Sequence, residues 1–196
     1  MCFLVSLSDF PRALLLLVLT CPQVSRSVPV RTDAALPESC VSYAQTLLHN
    51  ITDTLIQNKL FSGIDCTAQS VELNTDTDTP SACAPKESTC SGKVKSTFDQ
   101  ESCLFNIGED LRHYYKFLVA QPEADSRLLL SGLTEIMKNC FPRSLTAELA
   151  SREAAAERPS SYDERLSLCK VLKGFQVRSI TMSRAIAYMS AGDHRR

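Results

Sequence analysis

Cysteine count constrains this chain more than any other feature. Nine cysteines occur in its 196 residues. Cys2 and Cys21 fall in an N-terminal segment that reads as a cleavable leader; the other seven are Cys40, Cys66, Cys83, Cys90, Cys103, Cys140 and Cys169. Thiols of an exported chain are oxidised in the secretory pathway, so an even set would close internally. Seven cannot. At least one is left as a free thiol or as a bond to another protein, and a partner chain becomes the first expectation.

The leader, residues 1–27, is read from Arg12, the apolar run 13–19 and the small residues around Ser25 and Ser27. That run has the length of a signal-peptide core and falls far short of the roughly 20 apolar residues that span a bilayer. The expected mature protein, 28–196, is therefore secreted and extracellular, and long enough for one domain with a sizeable core. A formal net charge of −1 argues against a nucleic-acid partner, which would need a basic face. No Lys/Arg run marks a membrane surface. Scarce glycine, abundant leucine and alanine, and the lack of Asn-Gly or Asp-Gly pairs favour helix over strand.

Apolar periodicity predicts four helices. The first covers about 40–61, with Val41, Ala44, Leu48, Ile51 and Leu55 on one face, capped near Ser39 and stopped by Gly63. Residues 62–102 are rich in Ser, Thr, Asp and Pro, most clearly in the NTDTDTP run at 74–80, and read as a long loop. The second helix is expected over 103–121 (Leu104, Ile107, Leu111, Tyr114, Leu118) and ends before Pro122. The third spans 126–140 (Leu129, Leu133, Ile136, Cys140) and is closed by Pro142. Residues 145–158 read as a solvated connection, and the last and longest helix runs over 161–190. A connection of about 40 residues between the first two helices lets the second start parallel to the first, as in bundles with long cross-overs. An up-down bundle stays open on these grounds alone.

The last helix has two faces. Leu168, Leu172, Phe175, Met182, Ile186 and Met189 form its core stripe, interrupted by Ser179. At about 160° to 260° from Met182 lie Val177, Ile180, Thr181, Arg184 and Tyr188. A solvated back should be mostly charged. Here aliphatic and aromatic groups surround one arginine, a mixture enriched at interface hot spots. On the residues alone, a partner face and a wide core stripe with ordinary surface are equally open.

The stretch LCKVLKGFQVRSITMSRAIAYMSA (168–191) closely resembles the C-terminal helix of the interleukin-12 alpha subunit family, and CLFNIGEDLRHYYKF (103–117) resembles its second helix. The order Cys83-Ala84-Pro85, then Glu87-Ser88-Thr89-Cys90, is similar to its cross-over loop. The likeness covers nearly all the mature chain, most weakly in the third helix, and its divergence points to a non-mammalian member. It implies an all-α, disulfide-stapled, long-chain four-helix cytokine bundle of up-up-down-down topology. It further implies a disulfide-linked heterodimer with a receptor-like beta subunit, or pairing with another receptor-like chain. Signalling would run through two interleukin-12 receptor chains to promote interferon-gamma and T and NK cell responses.

Carried over by position, the resemblance makes Cys90 the interchain cysteine. It makes Arg184 an arginine inserted into a beta-subunit pocket and Tyr188 the aromatic one turn later. Tyr162 matches a receptor-contact aromatic. The family pairs Cys66 with Cys169 and Cys83 with Cys103. Its usual partner for Cys40 is missing, whereas Cys140 has no counterpart in the family pattern. In this topology Cys40 and Cys140 fall at the same end, so a Cys40–Cys140 bond is expected; Cys40–Cys103 is the alternative.

Other chemistry is thin. His49, His113 and His194 have no metal-ligand spacing, and no phosphate loop, nucleophile elbow or HExxH occurs. No enzyme, metal or cofactor is expected. Asn50-Ile51-Thr52 is the sole N-glycosylation sequon, and Asn50 lies off the expected core stripe, which leaves a glycan and an unused sequon both open. Other readings are an interleukin-23 alpha-like or monomeric cytokine, a disulfide-bonded lipid-binding module, or a small helical hydrolase. The lipid module would need an even cysteine set, the hydrolase a Cys-flanked His with an Asp partner, and a monomer leaves Cys90 unexplained.

Overall fold

Alternation of four- and three-residue steps between buried positions builds the first helix, α1 (Glu38–Ile56), whose inner row is Cys40, Ala44, Leu47 and Ile51. The computed structural model describes residues 36–56, 60–85, 98–121, 126–146 and 160–192. The expected leader, Cys90 and most of the 145–158 connection lie outside them. The α1 row is turned slightly from the expected one: Val41, Leu48 and Leu55 are only half-buried, and Val41 and Leu55 pack against the edge of the core. Cys40, committed to a disulfide, is itself a core residue. Helix α1 also stops short of Phe61. Leu60 to Gly63 form a turn, with Gly63 at a positive φ of 79°, and Leu60, Phe61 and Ile64 fold inward over the bundle end.

The described part of the expected long loop, residues 62–85, is mostly non-helical. Its NTDTDTP run leads into a short helix, α2 (Thr79–Ala82), with Pro80 in the first turn, where its missing N–H costs nothing. Helix α3 (Gln100–Val119) starts three residues before the expected Cys103 because the Asp99 side chain accepts from the Glu101 and Ser102 amides. Its inner row is Cys103, Ile107, Leu111, Tyr114 and Leu118. Helix α4 (Ser126–Cys140) buries Leu129, Leu133, Ile136 and Met137. Pro142 ends α4 and also opens a further short helix, α5 (Pro142–Thr146). Helix α6 (Tyr162–Ser190) begins with a capping box: Ser161 Oγ accepts from the Glu164 amide, and Glu164 accepts from the Ser161 amide.

Pairwise contacts fix the directions of the long helices. Cys40, at the start of α1, is bonded to Cys140 at the end of α4, so these two run antiparallel. Cys66, after α1, is bonded to Cys169 near the start of α6, making α6 antiparallel to α1 as well. Phe98, just before α3, packs edge-on against Tyr188 near the end of α6, ring centroids 5.2 Å apart. That sets α3 parallel to α1. The result is an all-α, up-up-down-down bundle. Two of its disulfides close 100- and 103-residue separations, and each removes about 4–5 kcal/mol of chain entropy from the unfolded state in the loop-closure account. Cys83–Cys103 closes a separation of 20.

One polar cluster lies inside this framework. Asp110 of α3 is fully buried and Arg178 of α6 is 5% exposed; Arg178 Nε stands 3.2 Å from Asp110 Oδ2. The same carboxylate accepts from Asn74 Nδ2 at 2.8 Å, from Thr77 Oγ1 at 2.6 Å and from the Thr79 hydroxyl. Arg178 Nη2 donates to the Asn74 carbonyl at 2.6 Å. The supposed loop is thus a strap tied across α3 and α6. Its upper part lies on α6: the Glu72 amide donates to the Lys170 carbonyl, and Lys173 Nζ donates to the Thr67 and Gln69 carbonyls. Gly174 is required under it, since a β-carbon there would sit 1.7 Å from the Glu72 carbonyl oxygen.

Beside the cluster the Tyr114 ring stacks on Phe175, centroids 4.0 Å apart. Burial, reinforced by the Asp110 charge, pushes the Tyr114 phenol up from 10.0 to about 12, against the opposing effects of the Asn74 backbone and Arg178. Asp110→Ala leaves the Arg178 charge buried without its counter-ion, which should cost about 3–5 kcal/mol in equilibrium unfolding of the disulfide-intact protein; Asp110→Asn, still able to accept, should cost less. For Tyr114 the folded pKa is the higher one. Its stabilising contribution is therefore intact below the unfolded value of 10.0 and is lost as pH climbs towards about 12. Tyr114→Phe should remove that alkaline loss from the pH dependence of the unfolding midpoint.

Candidate partner-binding face

The back of α6 inherits its character from a charge asymmetry. Between Arg165 and Ser190 the helix carries Lys170, Lys173, Arg178 and Arg184 and no Asp or Glu. Arg178 turns inward to Asp110, and Lys173 is occupied by strap carbonyls. Arg184 is exposed and has no hydrogen-bond or ion-pair partner among the described residues. Around it stand Val177, which is 45% exposed, and Ile180, Thr181 and Tyr188, all half-buried. These five residues share one stripe of the helix. An arginine in apolar surroundings is weakly hydrated and presents a rigid fork of donors, which suits a carboxylate set in an apolar pocket.

Phe98 was not anticipated in this face. Its ring braces Tyr188 edge-on. A signal did exist: an aromatic immediately before a helix-capping aspartate occupies the position from which a residue commonly folds back along its helix.

Other expected site residues lie elsewhere. Tyr162, the first residue of α6, is 53% exposed and stands about 33 Å along the axis from Arg184, at the usual helical rise. The two belong to separate surfaces. Cys40 and Cys140, Cys66 and Cys169, and Cys83 and Cys103 are joined in pairs, whereas Cys90 lies outside the described residues. Asn50 is half-buried and faces α4, its Nδ2 3.3 Å from where a β-carbon on Gly132 would be. Thr52 of the same sequon donates to the Leu48 carbonyl and accepts from Gln176 of α6.

Among the described residues no group of three His, Cys, Asp or Glu could hold a metal ion, and no helix is long and apolar enough to cross a membrane. A depression between the strap and α3, bordered by Glu72, Leu73, Asp76 and His113, holds about 210 Å³. That is below the roughly 300 Å³ at which ligand pockets begin, so it does not supply the cavity that a lipid-binding module would need.

The sequence profile of the family described as "Interleukin-12 alpha subunit" matches residues 12–192. Among curated relatives, interleukin-12 subunit alpha of Lama glama is 25% identical over 86% of this chain and 89% of its own length. The Felis catus protein is 24% identical over 86% and 89%, and the Homo sapiens protein 24% over 86% and 90%. A match over nearly the whole chain, on an up-up-down-down bundle, leads to one conclusion: the chain belongs to the interleukin-12 alpha subunit family.

Proposed function

We propose that this chain is the secreted alpha subunit of a heterodimeric cytokine, docked on a receptor-like beta subunit through the α6 face and linked to it through Cys90. As a member of its family it is a cytokine subunit and not an enzyme. The observation that carries the docking site is Arg184: an exposed, unpartnered cation in apolar surroundings, on a helix without acidic residues after its first turn. Desolvating a lone guanidinium costs free energy unless a partner provides a carboxylate. The aliphatic neighbours and the braced Tyr188 ring add apolar area around it.

Six of the seven expected mature cysteines are paired within the bundle, so internal stapling needs no contribution from Cys90. This supports its assignment to the interchain bond. Tyr162, at the far end of α6, is the expected receptor contact, leaving the opposite end of the bundle to the beta subunit. Signalling through a two-chain receptor towards interferon-gamma and T and NK cell responses completes the reading. A glycan on Asn50 belongs to it only if the amide turns out of the α1–α4 groove.

Co-expression with the beta subunit, followed by non-reducing electrophoresis, tests both attachments. The wild type should give a covalent heterodimer, and Cys90→Ser should abolish that band while leaving the two chains associated under native conditions. In the Cys90→Ser background, Arg184→Ala should weaken association by about 2 kcal/mol, roughly thirtyfold in Kd. An unchanged Kd would remove Arg184 from the interface.

A further inference from the structure

The sole Asn-x-Ser/Thr sequence, Asn50-Ile51-Thr52, lies well inside α1, whereas a used sequon belongs on a solvated loop, where a bulky glycan has room. All three of its residues are engaged in the bundle. Ile51 is fully buried in the core. Thr52 Oγ1 donates to the Leu48 carbonyl at 2.8 Å and accepts from Gln176 Nε2 of α6 at 3.0 Å. Asn50 is half-buried; its carbonyl accepts from Thr54 Oγ1 at 2.7 Å, and its side chain faces α4. We propose that a glycan on Asn50 and the closed α1–α4 seam exclude each other, so that a chain holding the Cys40–Cys140 bond carries Asn50 bare. This requires an exported chain, as read above, but not the α6 docking face.

The seam leaves no place for a sugar. Asn50 Nδ2 and Leu47 Cδ1 come within 3.3 and 3.8 Å of where a β-carbon on Gly132 of α4 would stand, so Asn50 packs into a notch left by a glycine. N-glycosylation replaces one Nδ2 hydrogen by a bond to the anomeric carbon of a lipid-diphosphate-linked oligosaccharide. The carbon–oxygen bond to the lipid diphosphate breaks, and the displaced proton is released. A bulky ring then stands on the atom that faces Gly132. Turning the amide outward instead would empty the notch, and the atoms lining it would lose those contacts. The notch is also in register with the staple: along the helix axes Asn50 is about 15 Å from Cys40, and Gly132 about 12 Å from Cys140. The bond between those cysteines therefore reports whether the seam has closed.

Chain order makes the two outcomes compete. Helix α1 is synthesised before α4, which brings Gly132, and before α6, which brings Gln176. Until both have emerged, neither contact on the sequon exists, and Asn50 is open to transfer. Once α4 and α6 are seated, Thr52 is held by two partners and Asn50 by the notch. Each chain then follows one route: a closed seam with a bare Asn50, or a glycan that holds α4 away from α1.

The test expresses the full chain with the beta subunit in secretory cells and digests the secreted and intracellular pools without reduction. A glycosidase that converts a glycan-bearing asparagine to aspartate marks occupancy in the same peptides that report the disulfides. Chains with Cys40 bonded to Cys140 should show Asn50 unmarked, and any marked chain should lack that bond. A marked Asn50 in a chain with the Cys40–Cys140 bond overturns the proposal. Cys40→Ser combined with Cys140→Ser removes the staple and should raise the marked fraction, seen as a glycosidase-sensitive gel shift that Thr52→Ala abolishes. If the wild type is bare in both pools, a marked double variant supports the exclusion. A double variant no more marked than the wild type overturns it. Should the chain fail to leave the cell, the secretion reading falls, while mapping of the intracellular pool still decides this proposal.

Discussion

A single buried carboxylate organises the middle of this molecule. Asp110 meets a guanidinium from α6, an amide and two hydroxyls from the cross-over, all from its place on the core side of α3. Buried ion pairs of this kind add little net stability, because desolvation offsets most of the attraction. Their effect is positional: an acceptor away from water must be satisfied, and here Asn74, Thr77 and Thr79 of the cross-over satisfy it. The bulk of the stability comes from apolar rows, each large buried side chain contributing about 1.5–3 kcal/mol. The cluster decides where the strap lies on those rows.

That placement shapes the outer surface. With the strap passing over Gly174 and Arg178 turned inward, α6 divides into a covered flank and an open one. The open flank keeps Arg184 and its apolar neighbours, and Phe98 braces the lower end through Tyr188. Disulfides act at the ends of the same design: Cys66–Cys169 pins the start of the strap to the start of α6, and Cys83–Cys103 pins its end to α3. The proposed face is therefore built on elements that these bonds already hold, which would lower the cost of association.

Much of the fold was legible in the residues. Three- and four-residue spacing located all four long helices, and the inner rows of α3 and α6 were read almost residue for residue. The α1 row was less accurate because Cys40 was counted as a staple and left out of the apolar pattern, although a half-cystine is also a small hydrophobe. The cross-over was read as a long loop, without the contacts that tie its described part to α3 and α6. NTDTDTP has the composition of a turn-rich loop, and nothing local shows that its hydroxyls and amide are spent on one distant carboxylate. A clue lay in two places: Asp110 sits between Ile107 and Tyr114, and Arg178 between Phe175 and Met182, so opposite charges interrupt two core rows.

The sequence by itself determined the helices, the odd thiol and the acid-free back of α6, because periodicity, cysteine parity and charge content are local properties or simple counts. Tertiary structure decided for the expected Cys140, and against Cys103, as the partner of Cys40, and it alone decided that the Asn74–Thr79 run closes over Asp110 and that Phe98 supports Tyr188. These depend on which residues far apart in the chain become neighbours. Such contacts follow only when the bundle has chosen the direction of each helix and every buried polar group has had to find its partner.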